Sequence, residues 1–263
     1  MKHEMPHVSP FMLRGFRYYV RRYLRRHFSA VRMAKGCVPR IPDQHAVVVF
    51  ASHPSWWDPL IATLLNWQVL SGRTAFTPMD QRALDRYPAF RKLGYYGVDL
   101  DSLRGAKRFL AVTRGLLQSR DSAIWMTPSG RFTDPRTRIK FQPGLSHLAC
   151  SSPSVSLVPL ALEYPFWEER TPEALIEFGE VISTDAKEQS KSDWGHELEL
   201  ALAETQARLA DKAMSRDPAN FVSLVEGSAG VGGAYDLFRR IRANLAGRRF
   251  DPRHAVSSQE DRR

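Results

Sequence analysis

The chain has 263 residues, of which 43% are hydrophobic and 25% charged, proportions that exclude a disordered, collagen-like or rod-like protein. Two cysteines are too few for a disulfide framework. The sequence contains no apolar run of about 18 residues, so no transmembrane helix is predicted. The net charge of +10 is concentrated in residues 1–40, which hold ten Lys or Arg and one Glu. We therefore expect one catalytic-sized domain without a metal, placed on the cytoplasmic side.

The first predicted element is a basic amphipathic helix over residues 11–28. At roughly 100° per residue, its apolar and aromatic side chains gather on one side and its arginines on the other. Three uses stay open: the helix lies on an anionic membrane surface, packs on its own domain, or attracts nucleic acid. Because the basic charge is confined to residues 1–40, we interpret them as a membrane-associating arm and expect no nucleic-acid partner.

After residue 40, apolar segments alternate with amphipathic ones. Strands are predicted at 47–50, 73–77, 122–127, 155–163 and 175–181, and helices at 58–70, 80–92, 102–119 and 193–215. This alternation indicates an α/β fold, with helices layered on a mostly parallel or mixed sheet. The main domain is expected over 41–216. Residues 217–263 are expected to form a C-terminal helix near 234–246 and a polar tail.

The sequence HPSWWD at residues 53–58 directly follows the first strand of this domain. In this spacing a histidine at the end of a strand is followed five residues later by an aspartate. One imidazole nitrogen can then hydrogen-bond the carboxylate while the other nitrogen stays free. His53 would then be a general base, and Asp58 would fix its tautomer and stabilise the imidazolium. The spacing is also common by chance, so a loop histidine beside a helix-capping aspartate stays an alternative.

Three further blocks follow HPSWWD in order along the chain. They are GYYGVD at 94–99, TPSGRF at 127–132 with FQPGLSHLA at 141–149, and VPLALEY at 158–164. With these blocks the chain resembles the glycerolipid acyltransferases, of the HxxxxD 1-acylglycerol-3-phosphate (lysophospholipid) acyltransferase type, over roughly residues 40–185. The resemblance implies transfer of a fatty acyl group from acyl-CoA or acyl-carrier protein to the hydroxyl of a lipid acceptor. It implies His53 as the base and Asp58 as its orienter, and no cofactor beyond this co-substrate.

The two middle blocks depart from the family pattern. The Glu usual after the proline is Ser129, and an arginine usual two residues after the glycine is displaced to Arg131. The second block ends in Leu100 where the family has Arg, and Gln142 stands in place of a Lys. The pair at His53 and Asp58 is intact while groups associated with the acceptor's phosphate are lost or moved, so we expect an altered acceptor. A lysophospholipid or lysophosphatidic acid stays open beside a non-phosphorylated lipid alcohol or a glycosylated isoprenoid.

Two sets of residues are candidates for substrate binding. The acceptor or a phosphate is expected at Ser129, Gly130, Arg131 and Arg136. The acyl chain is expected in a groove walled by Trp56, Trp57 and Tyr96. Core packing is the alternative for the aromatic residues, a solvated loop for the arginines, and a backbone turn for the serine. For the whole chain the alternative is a catalytically silent membrane-binding protein that retained the fold.

Overall fold

A computed structural model describes residues 5–99, 101–185 and 188–227, with a mixed sheet at the centre. The helices are α1 (Pro10–His27), α2 (Asp58–Gln68), α3 (Gln81–Arg86), α4 (Leu103–Leu117), α5 (Gly144–Ser151) and α6 (Lys191–Ser215), with short 3₁₀ turns at Pro88–Lys92 and Pro218–Asn220. The strands are β1 (Ala30–Ala34), β2 (Ala46–Ala51), β3 (Thr74–Asp80), β4 (Tyr95–Val98), β5 (Ser122–Met126), β6 (Val155–Glu163), β7 (Glu173–Phe178), β8 (Ile182–Ser183) and β9 (Phe221–Glu226). The α/β class predicted from the alternating pattern is confirmed.

The strand order is β4-β3-β5-β2-β6-β7-β1-β9, and β8 pairs with β6. The five strands from β4 to β6 in this order run parallel, β7 runs antiparallel to β6, and β1 runs parallel to β7. The carboxyl ends of parallel strands meet at one edge, which is where ligands bind in open α/β sheets. The segments after β2, β5 and β6 therefore lie together at that edge.

Both faces of the sheet are covered, which explains the uninterrupted apolar run of β2. Val47 and Val49 pack towards α1 and α2 on one face. Val48 and Phe50 pack towards α4, α5 and α6 on the other face. Every residue of β2 is buried, so the loop that follows it starts from a rigid support.

The helix predicted over 80–92 is interrupted. Asp80 caps α3 by accepting hydrogen bonds from the backbone N–H groups of Arg82 and Ala83, but α3 ends at Arg86. Pro88 starts a 3₁₀ turn instead, because the residue before a proline is disfavoured in the α conformation. The prediction of one continuous helix was wrong for this reason.

The central sheet extends beyond the domain boundaries expected at residues 40 and 216. β1 lies within the expected arm and pairs with both β7 and β9, and β9 lies within the expected C-terminal segment. Arg32 interrupts the apolar pattern of β1 in the sequence, and in the structure its Nε bonds Glu173 of β7 at 2.9 Å. The two terminal segments thus supply strands of the central sheet. The helix predicted near 234–246 lies outside the described residues.

Helix α1 packs with its apolar stripe on the domain. Val20 and Leu24 are buried against α2 and the β1–β9 end of the sheet. The opposite side of the helix is exposed and carries Phe11, Tyr18 and the arginines Arg14, Arg21, Arg22, Arg25 and Arg26. Packing on its own domain therefore accounts for the stripe, while the basic face stays on the surface. Within the part of the chain that the structure describes, no helix has both the length and the hydropathy needed to cross a membrane.

Candidate active site

His53 and Asp58 form a hydrogen-bonded pair at the carboxyl edge of the sheet. His53 lies two residues after β2, and its Nδ1 is 2.6 Å from Oδ2 of Asp58, the first residue of α2. The side chain of Asp58 is 6% exposed and that of His53 is 19% exposed. No side-chain capping bond forms at the start of α2, so the capping role considered for Asp58 is not observed. The structure brings the two residues together as the HPSWWD spacing predicted.

The hydrogen bonds of Asp58 define the state of the imidazole. Oδ2 accepts from the backbone N–H of Ser55 at 3.2 Å as well as from His53, and Oδ1 accepts from the hydroxyl of Tyr164 at 2.7 Å. A carboxylate is an acceptor only, so Nδ1 of His53 carries a proton, and in the neutral imidazole the lone pair is then on Nε2. Among the described residues none bonds Nε2. The imidazole is therefore in the tautomer that a general base requires.

The loop after β5 contacts the histidine directly. The backbone N–H of Thr133 donates to the carbonyl of His53 at 3.0 Å. The ring of Phe132 lies 4.2 Å from the imidazole, centroid to centroid, at an angle of 35°, and is 59% exposed. Sequence reasoning did not select Phe132, although it closes the TPSGRF block. The phenyl ring thus forms part of the immediate surroundings of the imidazole.

The residues expected to bind the acceptor separate into different roles. The hydroxyl of Ser129 is buried and donates to the carbonyl of Arg131 at 2.7 Å, which matches the backbone-turn alternative. Gly130 has φ +65°, a left-handed conformation that favours glycine and completes this turn. The side chain of Arg131 is exposed, and no partner for its guanidinium exists among the described residues.

Arg136 forms an ion pair instead of a free anion site. Its Nε and one terminal nitrogen lie 3.3 Å and 3.2 Å from the carboxylate of Glu163, which is 4% exposed at the end of β6. The hydrogen bonds to Glu163 raise the pKa of Arg136 above its usual value. A buried carboxylate needs such a counter-charge, so the expectation that Arg136 is available for a phosphate does not fit the structure.

The three aromatic residues expected to wall one groove do not lie together. Trp57 is half-buried, and Trp56 is 59% exposed beside it at 6.0 Å between ring centroids. Tyr96 is buried on the opposite face of the sheet, where its hydroxyl bonds Thr113 of α4 at 2.8 Å. The groove predicted from Trp56, Trp57 and Tyr96 is therefore wrong for Tyr96, because β4 turns that side chain towards α4.

A different apolar groove lies between α1 and the 3₁₀ turn at Pro88–Lys92. Its volume is about 350 Å³, and its lining includes Phe11, Met12, Phe16, Tyr19 and Phe90. A row of rings connects it with the HPSWWD loop, with centroid distances of 6.0 Å from Phe16 to Tyr19, 5.8 Å from Tyr19 to Tyr23 and 6.2 Å from Tyr23 to Trp56. A row of aromatic rings thus extends along α1 to Trp56 in the HPSWWD loop.

Comparisons with known proteins agree with this architecture. The family model described as Acyltransferase matches residues 37–163, which run from before β2 to the end of β6. No curated protein matches the sequence. A crystal structure of the 1-acyl-sn-glycerophosphate (LPA) acyltransferase PlsC from Thermotoga maritima matches with a TM-score of 0.53 and 15% identity, over 75% of this chain and 79% of that chain. At that identity the likeness concerns the fold. The match over residues 37–163 confirms the resemblance predicted from the four blocks, so this part of the chain is similar to the acyltransferase family.

Proposed function

We propose that this acyltransferase moves a fatty acyl group from acyl-CoA or acyl-carrier protein to the hydroxyl of a lipid acceptor, at the cytoplasmic face of a membrane. The observation that supports this most directly is the bond of 2.6 Å between Nδ1 of His53 and Asp58, with Nε2 left without a partner among the described residues. A base so arranged activates a hydroxyl without a nucleophilic serine or cysteine.

The reaction follows from this arrangement. Nε2 of His53 takes the proton of the acceptor hydroxyl while the oxygen attacks the thioester carbonyl. Asp58 stabilises the imidazolium that forms, and the tetrahedral intermediate then expels the thiolate of the donor. The imidazolium returns its proton to that thiolate, which regenerates the base. No acyl-enzyme is needed, and the buried hydroxyl of Ser129 is already bonded within its turn.

The acceptor in this proposal is a lipid alcohol with a neutral or glycosylated head rather than a phosphomonoester. A phosphomonoester site offers several charge-assisted donors. Of the two arginines expected there, Arg136 is bonded to Glu163, and only Arg131 has a guanidinium without a described partner. The ring of Phe132 lies 4.2 Å from the imidazole, so an apolar side chain rather than a cation is the neighbour of His53 on this side.

Membrane association is assigned to the exposed face of α1. Phe11 is 84% exposed and Tyr18 is 72% exposed, and both lie among the outward-facing arginines. Aromatic side chains favour the depth of lipid headgroups, and each nearby arginine gains about 1 kcal/mol from an anionic surface. The same helix carries the apolar groove that leads towards Trp56, so a lipid substrate is expected to enter along α1.

The test compares His53→Ala with His147→Ala, a matched change on α5 outside the site. Thiol release from acyl-CoA is measured with two acceptors, lysophosphatidic acid and an uncharged lipid alcohol. We expect His53→Ala to abolish transfer with an unchanged Tm, and His147→Ala to retain it. Normal turnover by His53→Ala would refute the mechanism.

The acceptor is tested separately with Arg131→Ala. We expect the parent enzyme to show the higher kcat/KM with the uncharged acceptor. A strong preference for lysophosphatidic acid that disappears in Arg131→Ala would show that this arginine binds the phosphate, and the proposed acceptor class would then be wrong.

A further inference from the structure

We propose that Tyr164 is a positioning residue of the acyl-transfer site, whose hydroxyl orients the carboxylate of Asp58 and stabilises part of its negative charge. This inference rests on the proposed function, since it concerns the same pair of residues. Tyr164 follows the last residue of β6 and therefore lies at the same edge of the sheet as the loop after β2. Its hydroxyl donates to Oδ1 of Asp58 at 2.7 Å.

The two oxygens of Asp58 have separate partners. Oδ2 accepts from Nδ1 of His53 and from the backbone of Ser55, whereas Oδ1 accepts from Tyr164, its single donor among the described residues. Because Asp58 is buried, no bulk water replaces that donor. The hydroxyl thus fixes the rotation of the carboxylate that keeps Oδ2 directed at the imidazole.

The tyrosine ring is itself held in place by packing. It contacts Trp57 at 5.3 Å and 70° and Phe28 at 5.8 Å and 45°, centroid to centroid, and Phe28 is fully buried. Burial, followed by the negative charge of Asp58, raises the pKa of Tyr164 well above its usual value. The hydroxyl therefore remains a donor throughout the pH range in which an imidazole titrates.

The expected effect on the base has a definite sign. A hydrogen bond donated to a carboxylate stabilises its charged form and reduces its attraction for a neighbouring proton. Removal of the hydroxyl leaves more negative charge beside Nδ1, so the imidazolium becomes more stable relative to the neutral imidazole. The base is then free only at higher pH, and the acid limb of the rate profile moves upward.

The experiment measures kcat/KM against pH for the parent enzyme, Tyr164→Phe and the control Tyr95→Phe. Tyr95 is buried on β4, which β3 and β5 separate from β2 in the sheet, so its hydroxyl lies away from the pair of His53 and Asp58. For Tyr164→Phe we expect about a tenfold lower kcat, because a bond to a charged group is lost, and an acid limb raised by roughly one pH unit. The control is expected to keep the parent's acid limb.

Two outcomes separate this inference from a structural role. If Tyr164→Phe lowers kcat and Tm but leaves the acid limb in place, the inference is wrong while the proposed function stands, provided that His53→Ala is inactive. In an Asp58→Asn background, Tyr164→Phe should not move the acid limb further, and an independent shift there would also overturn the inference.

If Tyr164→Phe does not fold, Phe28→Leu loosens the ring without removing the hydroxyl, and an unmoved acid limb in that variant counts against the inference.

Discussion

Replacement of Asp58 by asparagine removes the charge beside His53 and keeps the shape of the side chain. Two donors point at Oδ2, namely Nδ1–H of His53 and the backbone N–H of Ser55. The hydroxyl of Tyr164, which faces Oδ1, is able to accept as well as donate. We therefore expect the amide to turn its oxygen to His53 and its NH₂ group to Tyr164. The imidazole tautomer is then preserved, and the change isolates the charge of the carboxylate.

The magnitude follows from the geometry of the pair. With Nδ1 and Oδ2 at 2.6 Å, the charge centres of the imidazolium and the carboxylate are roughly 4 Å apart, which corresponds to about 4 kcal/mol at an effective dielectric constant of about 20. Each 1.36 kcal/mol is about tenfold in rate, so the expected loss in kcat is on the order of 10³. The fold should be retained, because a buried charge is replaced by a neutral group of the same shape.

The assay is thiol release from acyl-CoA in the presence of the lipid acceptor, at saturating concentrations of both. The matched control is Asp85→Asn, an aspartate that pairs with Arg91 on the surface away from the site. A kcat for Asp58→Asn within threefold of the parent would refute stabilisation of the imidazolium by Asp58. A loss as complete as that of His53→Ala would show that the amide takes the opposite orientation and inverts the tautomer.

Three further predictions concern the surface and the stability of the fold. Reversal of charge at Arg21 and Arg22 should release the protein from anionic vesicles in co-sedimentation with an unchanged Tm, because both side chains are exposed. Leu24→Ala should lower the free energy of unfolding by about 2–5 kcal/mol in a denaturant titration, because a fully buried side chain is truncated. Arg136→Ala should lower it by about 1–3 kcal/mol, a value reduced by the exposure of the arginine, and an added Glu163→Gln should restore most of that loss.

The features predicted correctly from the sequence are those set by residues close together along the chain. HPSWWD spans six residues between a buried strand and a helix, so its spacing alone brings His53 next to Asp58. The alternation of apolar strands and amphipathic helices likewise depends on local periodicity, and it led to the correct fold class. β1 was not predicted because Arg32 interrupts its pattern, and its partner Glu173 lies 141 residues away.

The rest of the site depends on which strands become neighbours. Tyr164 is 106 residues from Asp58 along the chain, and only the parallel pairing of β2 with β6 brings the two together. The pair formed by Arg136 and Glu163 likewise joins the loop after β5 to the end of β6. Tyr96 was misplaced for the same reason, since the register of β4 decides which face a side chain takes. Spacing within one block carries no information on such contacts.

The course of α1 shows that the basic segment supports the candidate site by packing. Phe28, the residue that follows α1, packs on Trp57 at 4.8 Å and on Tyr164 at 5.8 Å, and Tyr164 bonds Asp58. Deletion of residues 1–35 would therefore remove β1 and Phe28 together with the arginines, and a loss of vesicle binding in that variant would not separate membrane attraction from unfolding. Charge reversal on the exposed face leaves Phe28 in place. The charge-reversal variant therefore separates membrane binding from acyl transfer. Acyl transfer to a dispersed acceptor should persist in it when vesicle binding is lost.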